Sequence, residues 1–289
     1  MGFMANNDVF VPTLTLADGS EIPQIGLGTW MLHGDDAYRV VRAALEMGYR
    51  HIDTATLYDN EVEVGRAIAD AIRAGEVTRE ELFITSKVWN DDQGREKAQK
   101  AFQTSLTLLG LDYLDLYLVH WPCPQRGLYN ETFEAIATIQ GLGQVQSIGV
   151  ANFYEEVMED LVSATGIVPA VNQVELHPGF SQAPLRALHE RLGIVTTAWA
   201  PLARGDVLNH SVITGIAQEH GVNPAAVVLR WLVQSGLVAI PKTAHRQRLL
   251  ENLNVNKLTL SIDEVSSLTA MDHGGGSGRL YTDPRNFPV

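Results

Sequence analysis

"GYRHIDTATLYDNE", residues 48–61, starts as a strand would, with Tyr49, Arg50, His51 and Ile52, and then turns polar. Asp53, Thr54, Thr56, Tyr58, Asp59 and Asn60 follow in quick succession. A carboxylate and a phenol this close together at the end of a strand serve packing poorly. The surrounding chain has to supply their purpose.

Working outward, seven more β-rich runs recur, each followed by a segment of helical period. In order, the eight are 22–29, 49–55, 82–88, 114–120, 145–152, 170–176, 194–200 and 237–242. Several are nearly continuous apolar runs, as parallel strands covered on both faces are. Between them, 35–48 carries Ala37, Val40, Val41 and Ala44 on one face, with Asp35 as a candidate cap and Gly48 as a stop. The segment 95–110 repeats the pattern, and 223–236 opens with Asn223 and Pro224, a favoured helix start. Eight strand–helix alternations predict an α/β chain folded as a (β/α)8 TIM barrel, one domain over residues 1–289 and ordered from about residue 8–12 onward. Ahead of it, "TLTLADGSEIP" (13–23) alternates around Asp18-Gly19, a hairpin signal that could plug the barrel's bottom. The closing stretch, 272–289, is glycine-rich and irregular, and its composition predicts a solvated end rather than a flap over the mouth.

The 289 residues are 45% apolar and 19% charged, ordinary for a soluble globular chain. A net charge of -13 argues against a broad basic surface for nucleic acid. No apolar run approaches the roughly 18 residues that span a bilayer. "MGFMANNDVF" lacks the basic and apolar regions of a secretion signal, so a cytoplasmic location is expected. Cys123 is the single cysteine and can form neither an internal disulfide nor a metal framework; without an HExxH, no metal is expected.

Barrel active sites form at the carboxyl ends of the strands. Asp53 ends the second run with Tyr58 just beyond, Lys87 ends the third and His120 the fourth. These strands are neighbours, so the four side chains can converge. A buried lysine requires a carboxylate, and Asp53 is placed to be it. An ammonium beside a phenol favours the phenolate and is expected to lower Tyr58 from about 10, each unit being about 1.4 kcal/mol. A tyrosine so tuned can give and retake a proton, which suits reduction of a carbonyl. Singly, each residue has a plainer account: a structural ion pair, a rim phenol, a histidine satisfied by a backbone carbonyl. Jointly, in this strand order, chemistry is the better one.

At this point the chain resembles the aldo-keto reductases along essentially its whole length. "GYRHIDTATLYDNE", "ITSKVWN", "LDLYLVHWP", "VNQVELHP" and "IPKTAHRQRLLENL" match that family's signature segments in order. The resemblance implies a catalytic tetrad of Asp53, Tyr58, Lys87 and His120, with Tyr58 as the acid and Asp53 orienting Lys87.

No GxGxxG follows the first strand, since "GLGTWM" (26–31) and "GLGQVQ" (141–146) fail the pattern. The loops after the seventh and eighth strands are the other place for a dinucleotide phosphate in a barrel. There "PKTAHRQR" clusters Lys242, Arg246 and Arg248, and a helix starting near 244 would aim its amides at an anion. Positive charge opposes the helix dipole at that end, so an anionic ligand is expected. The family resemblance implies NADPH, with Lys242, Thr243 and Arg248 on the 2′-phosphate and Glu251 and Asn252 on the adenine. It further implies Asn152 and Gln173 on the nicotinamide carboxamide, and Trp199, Pro201 and Leu202 along the cofactor. Two departures stand out: Ala151 replaces the family's usual serine, and Trp199 the usual stacking tyrosine.

Trp30, Trp89 and Trp121 fall at the family's pocket-lining positions, though strand-end tryptophans also cap cores. The loops "WPCPQRGLYN" (121–130) and "PLARGDVLNH" (201–210) are short, which suggests an open pocket for small or polar carbonyls. Within the family, the chain resembles the bacterial 2,5-diketo-D-gluconate reductases, sharing the short loops, the tryptophan and a closing "MD…GSGR" ending at Arg279. That implies a keto-sugar acid as substrate, with Arg279 either a distal anion contact or a solvated tail residue. The expected protein is a monomeric reductase without an obligate protein partner. The alternatives are a cofactor-binding redox sensor, as potassium-channel β-subunits of similar sequence are, and a structural protein such as a reductase-derived crystallin.

Overall fold

A computed structural model describes residues 2–4, 10–272, 274 and 276–287. The short strand β1 (Gly2–Met4) pairs with β2 (Phe10–Thr15), which pairs antiparallel with β3 (Glu21–Pro23). The turn between β2 and β3 is closed where Leu16 donates to Ser20, with Gly19 at positive φ. Then come β4 (Leu27–Gly28), α1 (Gly34–Met47), β5 (His51–Asp53), α2 (Glu61–Arg73), β6 (Phe83–Val88) and α3 (Arg95–Leu109). The series continues with β7 (Leu114–Val119), α4 (Tyr129–Gly141), β8 (Val145–Ala151), α5 (Glu155–Thr165), β9 (Val171–Glu175) and α6 (Ala183–Leu192). It ends with β10 (Val195–Trp199), α7 (Ser211–His220), α8 (Pro224–Gln234), β11 (Val238–Ala239), α9 (Arg246–Leu253) and α10 (Ile262–Thr269).

Strands β4 to β11 run parallel in sequence order, and the sheet closes where Ile25 bridges Ala239. This is the eight-stranded barrel that the alternation predicts. Period-two alternation sorts its residues. Ile84, Val88, Tyr117 and Val119 belong to the large core between sheet and helices, whereas Phe83, Leu116, Leu118, Val171 and Val238 fill the lumen. Leu16 and Ile22 from the hairpin join the lumen cluster, so the hairpin does plug the bottom.

The helix ends follow the expected chemistry in three cases and depart in one. Asn223 Oδ1 accepts from Ala226 N at 2.8 Å with Pro224 in the first turn, a cap that contributes about 1 kcal/mol. Left-handed Gly48 and Gly110 close α1 and α3. Asp35 does not cap α1: the cap position is His33, without a side-chain bond, and Asp35 sits in the first turn, where its charge still suits the dipole.

The closing segment departs most. Composition predicts a solvated tail; instead, Phe287 stacks on Trp121 at 3.9 Å and Tyr281 packs against Trp199 at 4.8 Å. The tail lies across the barrel's mouth. Aromatic side chains decide its position, and the glycines only let the chain reach it.

Candidate active site

Alternation carries Phe83 into the lumen and therefore Lys87 as well, four residues on; Leu118 does the same for His120, and Val171 for Gln173 and Glu175. Lys87, His120, Gln173 and Glu175 lie toward the carboxyl end of the barrel. Lys87 is wholly buried, and its ammonium donates to Asp53 Oδ1 at 2.6 Å, to the Thr54 carbonyl at 2.9 Å and to Tyr58 Oη at 3.4 Å. The second oxygen of Asp53 accepts from Gln173 Nε2 at 2.7 Å. His120 sits edge-on to Tyr58 at 5.8 Å and to Trp89 at 5.1 Å. The four residues expected to converge do so.

The other polar residues of 48–61 secure that arrangement. Thr54 Oγ1 donates to Asn60 Oδ1 at 2.7 Å, and the Asn60 amide donates to the Thr29 and Leu32 carbonyls, tying the loop after β4 to the loop bearing Tyr58. Thr56 Oγ1 donates to the Lys87 carbonyl at 3.0 Å. Asp59 is exposed and ends the short 3-10 turn Thr56–Tyr58 in a left-handed conformation.

Electrostatics correct one expectation. Burial raises the Tyr58 phenol above its ordinary value, and the opposing pull of Lys87 is the smaller influence. Tyr58 is therefore a protonated phenol at neutral pH. For Lys87, burial pushes downward, but Asp53 and Tyr58 together outweigh it and leave the ammonium raised. Burial, helped by Lys87, holds His120 well below 6.5, so its ring is neutral. Neither nitrogen of that ring has a hydrogen-bond partner among the described residues, and Nδ1 is fully buried.

Around this centre, Asn152 adopts φ 63°, donates from Nδ2 to the His120 carbonyl at 2.9 Å and accepts from Trp199 Nε1 at 2.9 Å. Trp199 thus fixes the orientation of the Asn152 amide, while Ala151 is buried beside it. Pro201 is buried and Leu202 half-buried at the head of the loop after β10. Beyond β11, Lys242 and Arg248 are exposed and make no ion pair among the described residues, whereas Arg246 is taken up by Glu46 at 3.1 Å. Thr243 is buried, and its hydroxyl accepts from His245 N at 3.1 Å. The nearby helix α9 begins at Arg246, two residues later than expected. Asn252 is buried, and Glu251 accepts from Asn223 and Gln247. Trp30 is 45% exposed, whereas Trp121 and Trp89 lie against Phe287. Arg279 lies over the Phe180 ring at 4.7 Å rather than free in solvent.

Two groups escaped the sequence reading. Glu61 is buried and accepts from Ser86 Oγ at 2.7 Å and Ser105 Oγ at 3.2 Å, behind the strand that carries Lys87. Glu175, 1% exposed, points into the mouth two residues past Gln173. The same alternation that places Gln173 was the signal for it.

An eight-stranded α/β barrel thus carries a buried lysine–carboxylate pair and a phenol at its carboxyl end. The model of the Aldo/keto reductase family matches residues 24–273. An aldo-keto reductase of Mycolicibacterium smegmatis is 48% identical over 96% of this chain and 98% of its own. The 2,5-diketo-D-gluconic acid reductase B of a Corynebacterium species is 44% identical over 91% of this chain and 94% of its own. The solved structure of a Gox0644 variant in complex with NADPH superposes with a TM-score of 0.91 at 42% identity, covering 96% of this chain and 99% of that one. The chain belongs to the aldo/keto reductase family and is an oxidoreductase. Among the described residues, no helix is long and apolar enough to cross a membrane.

Proposed function

We propose that the chain reduces a small carbonyl compound to the alcohol with NADPH, Tyr58 giving the proton. The observation that carries the reading is the buried Lys87 ammonium, which reaches Asp53 at 2.6 Å and Tyr58 at 3.4 Å. A phenol kept protonated by burial is a proton donor at neutral pH. As Tyr58 gives its proton to the carbonyl oxygen, the adjacent ammonium stabilises the phenolate left behind, and Asp53 keeps that ammonium in place. His120, neutral and without a hydrogen-bond partner among the described residues, can donate one ring N–H to the same oxygen and fix its direction. NADPH, when bound, supplies the hydride.

Residues that fit such a dinucleotide are present. Lys242, ahead of α9, and Arg248, in its first turn, are exposed cations without partners among the described residues, in a chain of net charge -13. Asp53 holds one N–H of the Gln173 amide, leaving its carbonyl and second N–H for a carboxamide. The NADPH held by the Gox0644 variant supports the same assignment. For the substrate, the name of the Corynebacterium relative supports a keto-sugar acid, with Trp30, Trp89 and Trp121 as walls.

The test is Tyr58→Phe. It should leave NADPH binding within about twofold and lower kcat by about 100-fold to 10,000-fold, the usual worth of a general acid. Near-normal turnover would refute Tyr58 as the donor.

A further inference from the structure

Glu175 and His177 belong to the segment "VNQVELHP", yet neither joins the tetrad. The Glu175 carboxylate is buried and accepts from Leu280 N at 2.7 Å, from Tyr281 N at 3.3 Å and from His177 Nε2 at 3.1 Å. Two of these donors are backbone groups of the closing segment, more than a hundred residues away in sequence. Other contacts seat the same segment. Ser181 donates N and Oγ to Asp272 Oδ2 at 2.8 and 2.6 Å. Gly278 lies so close to the Gly179 carbonyl that an added Cβ would fall 1.9 Å from its oxygen.

What Glu175 holds in place is Tyr281. Its ring packs against Trp199 at 4.8 Å and Trp30 at 6.4 Å, and Arg204 Nε donates to its hydroxyl at 2.9 Å. Trp199 ends β10, Arg204 follows it, and Trp30 follows β4. Around the barrel β10 neighbours β11, and β11 meets the β4 segment at the Ile25–Ala239 bridge. Tyr281 therefore crosses above the β11 sector. A dinucleotide running from Lys242 and Arg248 beyond β11 to the tetrad has to pass beneath that crossing.

We propose that Glu175 is a positioning residue that anchors Tyr281 as a bar across the dinucleotide's path, so that cofactor entry and release require the closing segment to lift. This rests on the NADPH reading above. The anchor is a carboxylate gripping backbone N–H groups, charge-assisted bonds that are the stronger kind. Lifting the bar breaks them, and the bar slows release by the fraction of time it is down.

The experiment is a comparison of Glu175→Gln, Tyr281→Ala and the double variant in the full chain. Amide hydrogen exchange at Leu280 and Tyr281 should quicken at least about tenfold in Glu175→Gln. NADPH release, followed by stopped-flow fluorescence with an excess of unlabelled trap, should quicken at least about fivefold in each single variant, and no further in the double, because both act on one bar. Hydride transfer in a single turnover of the preformed complex should stay within about twofold in Glu175→Gln, which a damaged barrel would not allow. Unchanged exchange would overturn the anchor, and unchanged or additive release rates would overturn the bar. A wild-type chain that binds no NADPH would overturn the cofactor reading and the bar with it, while the exchange measurement would still judge the anchor.

Discussion

Asp53→Asn removes one charge and almost no volume, and the structure says what that should cost. In the native protein, both carboxylate oxygens accept, one from Lys87 at 2.6 Å and one from Gln173 at 2.7 Å. Asparagine offers one oxygen and one NH2, so a donor must face either the ammonium or the Gln173 amide. The ammonium has no exposure through which water could replace the lost charge. Breaking a buried pair from one side costs about 3–5 kcal/mol. At about 2 °C per kcal/mol for a chain of this size, Tm should fall by about 6–10 °C.

The loss should also depend on pH with a definite sign. Native Lys87 is raised above its ordinary value, so its contribution to stability is complete below about pH 10.4 and fades as pH rises through the folded value. In Asp53→Asn, Tyr58 alone is left to oppose burial, the largest influence, and the folded value drops below the unfolded one. The folded state then sheds a proton that the unfolded chain keeps, so the deficit should shrink as pH rises from 7 towards 10. Thermal unfolding of both proteins across that range is the assay. A Tm within about 2 °C of native at pH 7, or a deficit independent of pH, would refute the account of the pair.

Three further expectations rest chiefly on other groups. Lys242→Ala or Arg248→Ala should weaken NADPH by about tenfold or more and NADH little, as titration of each cofactor would show; equal losses would remove the 2′-phosphate assignment. Trp199→Phe keeps an aromatic face but leaves Asn152 Oδ1 without its donor, so the fold should lose about 1–3 kcal/mol and NADPH affinity should fall as the amide loses its fixed orientation; unchanged affinity would show that the indole N–H does not orient Asn152. Burial lowers His51 and His189 to about 4 in the folded protein. Between pH 6.5 and 4 the unfolded chain binds protons that the folded one refuses, so stability should fall as pH falls through that window; denaturant unfolding that shows no loss there would contradict it.

The barrel was legible because its strands are covered on both faces and each is closed by a helix-period segment. Asp53, Tyr58, Lys87 and His120 were legible because neighbouring strand ends must share one mouth. What the chain concealed has physical reasons. The closing segment is held by Glu175 through backbone N–H groups, which have no residue signature, and its glycine-rich composition suggests freedom where Gly278 allows close approach to the Gly179 carbonyl. The direction of the Tyr58 shift depends on whether burial or the Lys87 charge is larger, a comparison of depth and distance that spacing cannot supply. The departures Ala151 and Trp199, separate in sequence, meet at Asn152, where the indole N–H holds the amide.

The most direct measurement is NADPH consumption, followed by absorbance, against aldehydes, diketones and keto-sugar acids, with NADH alongside. The account predicts turnover with NADPH on at least one carbonyl compound, and much weaker turnover with NADH. Tight NADPH binding with no turnover on any of them would contradict it, and would leave the chain a dinucleotide binder rather than a reductase.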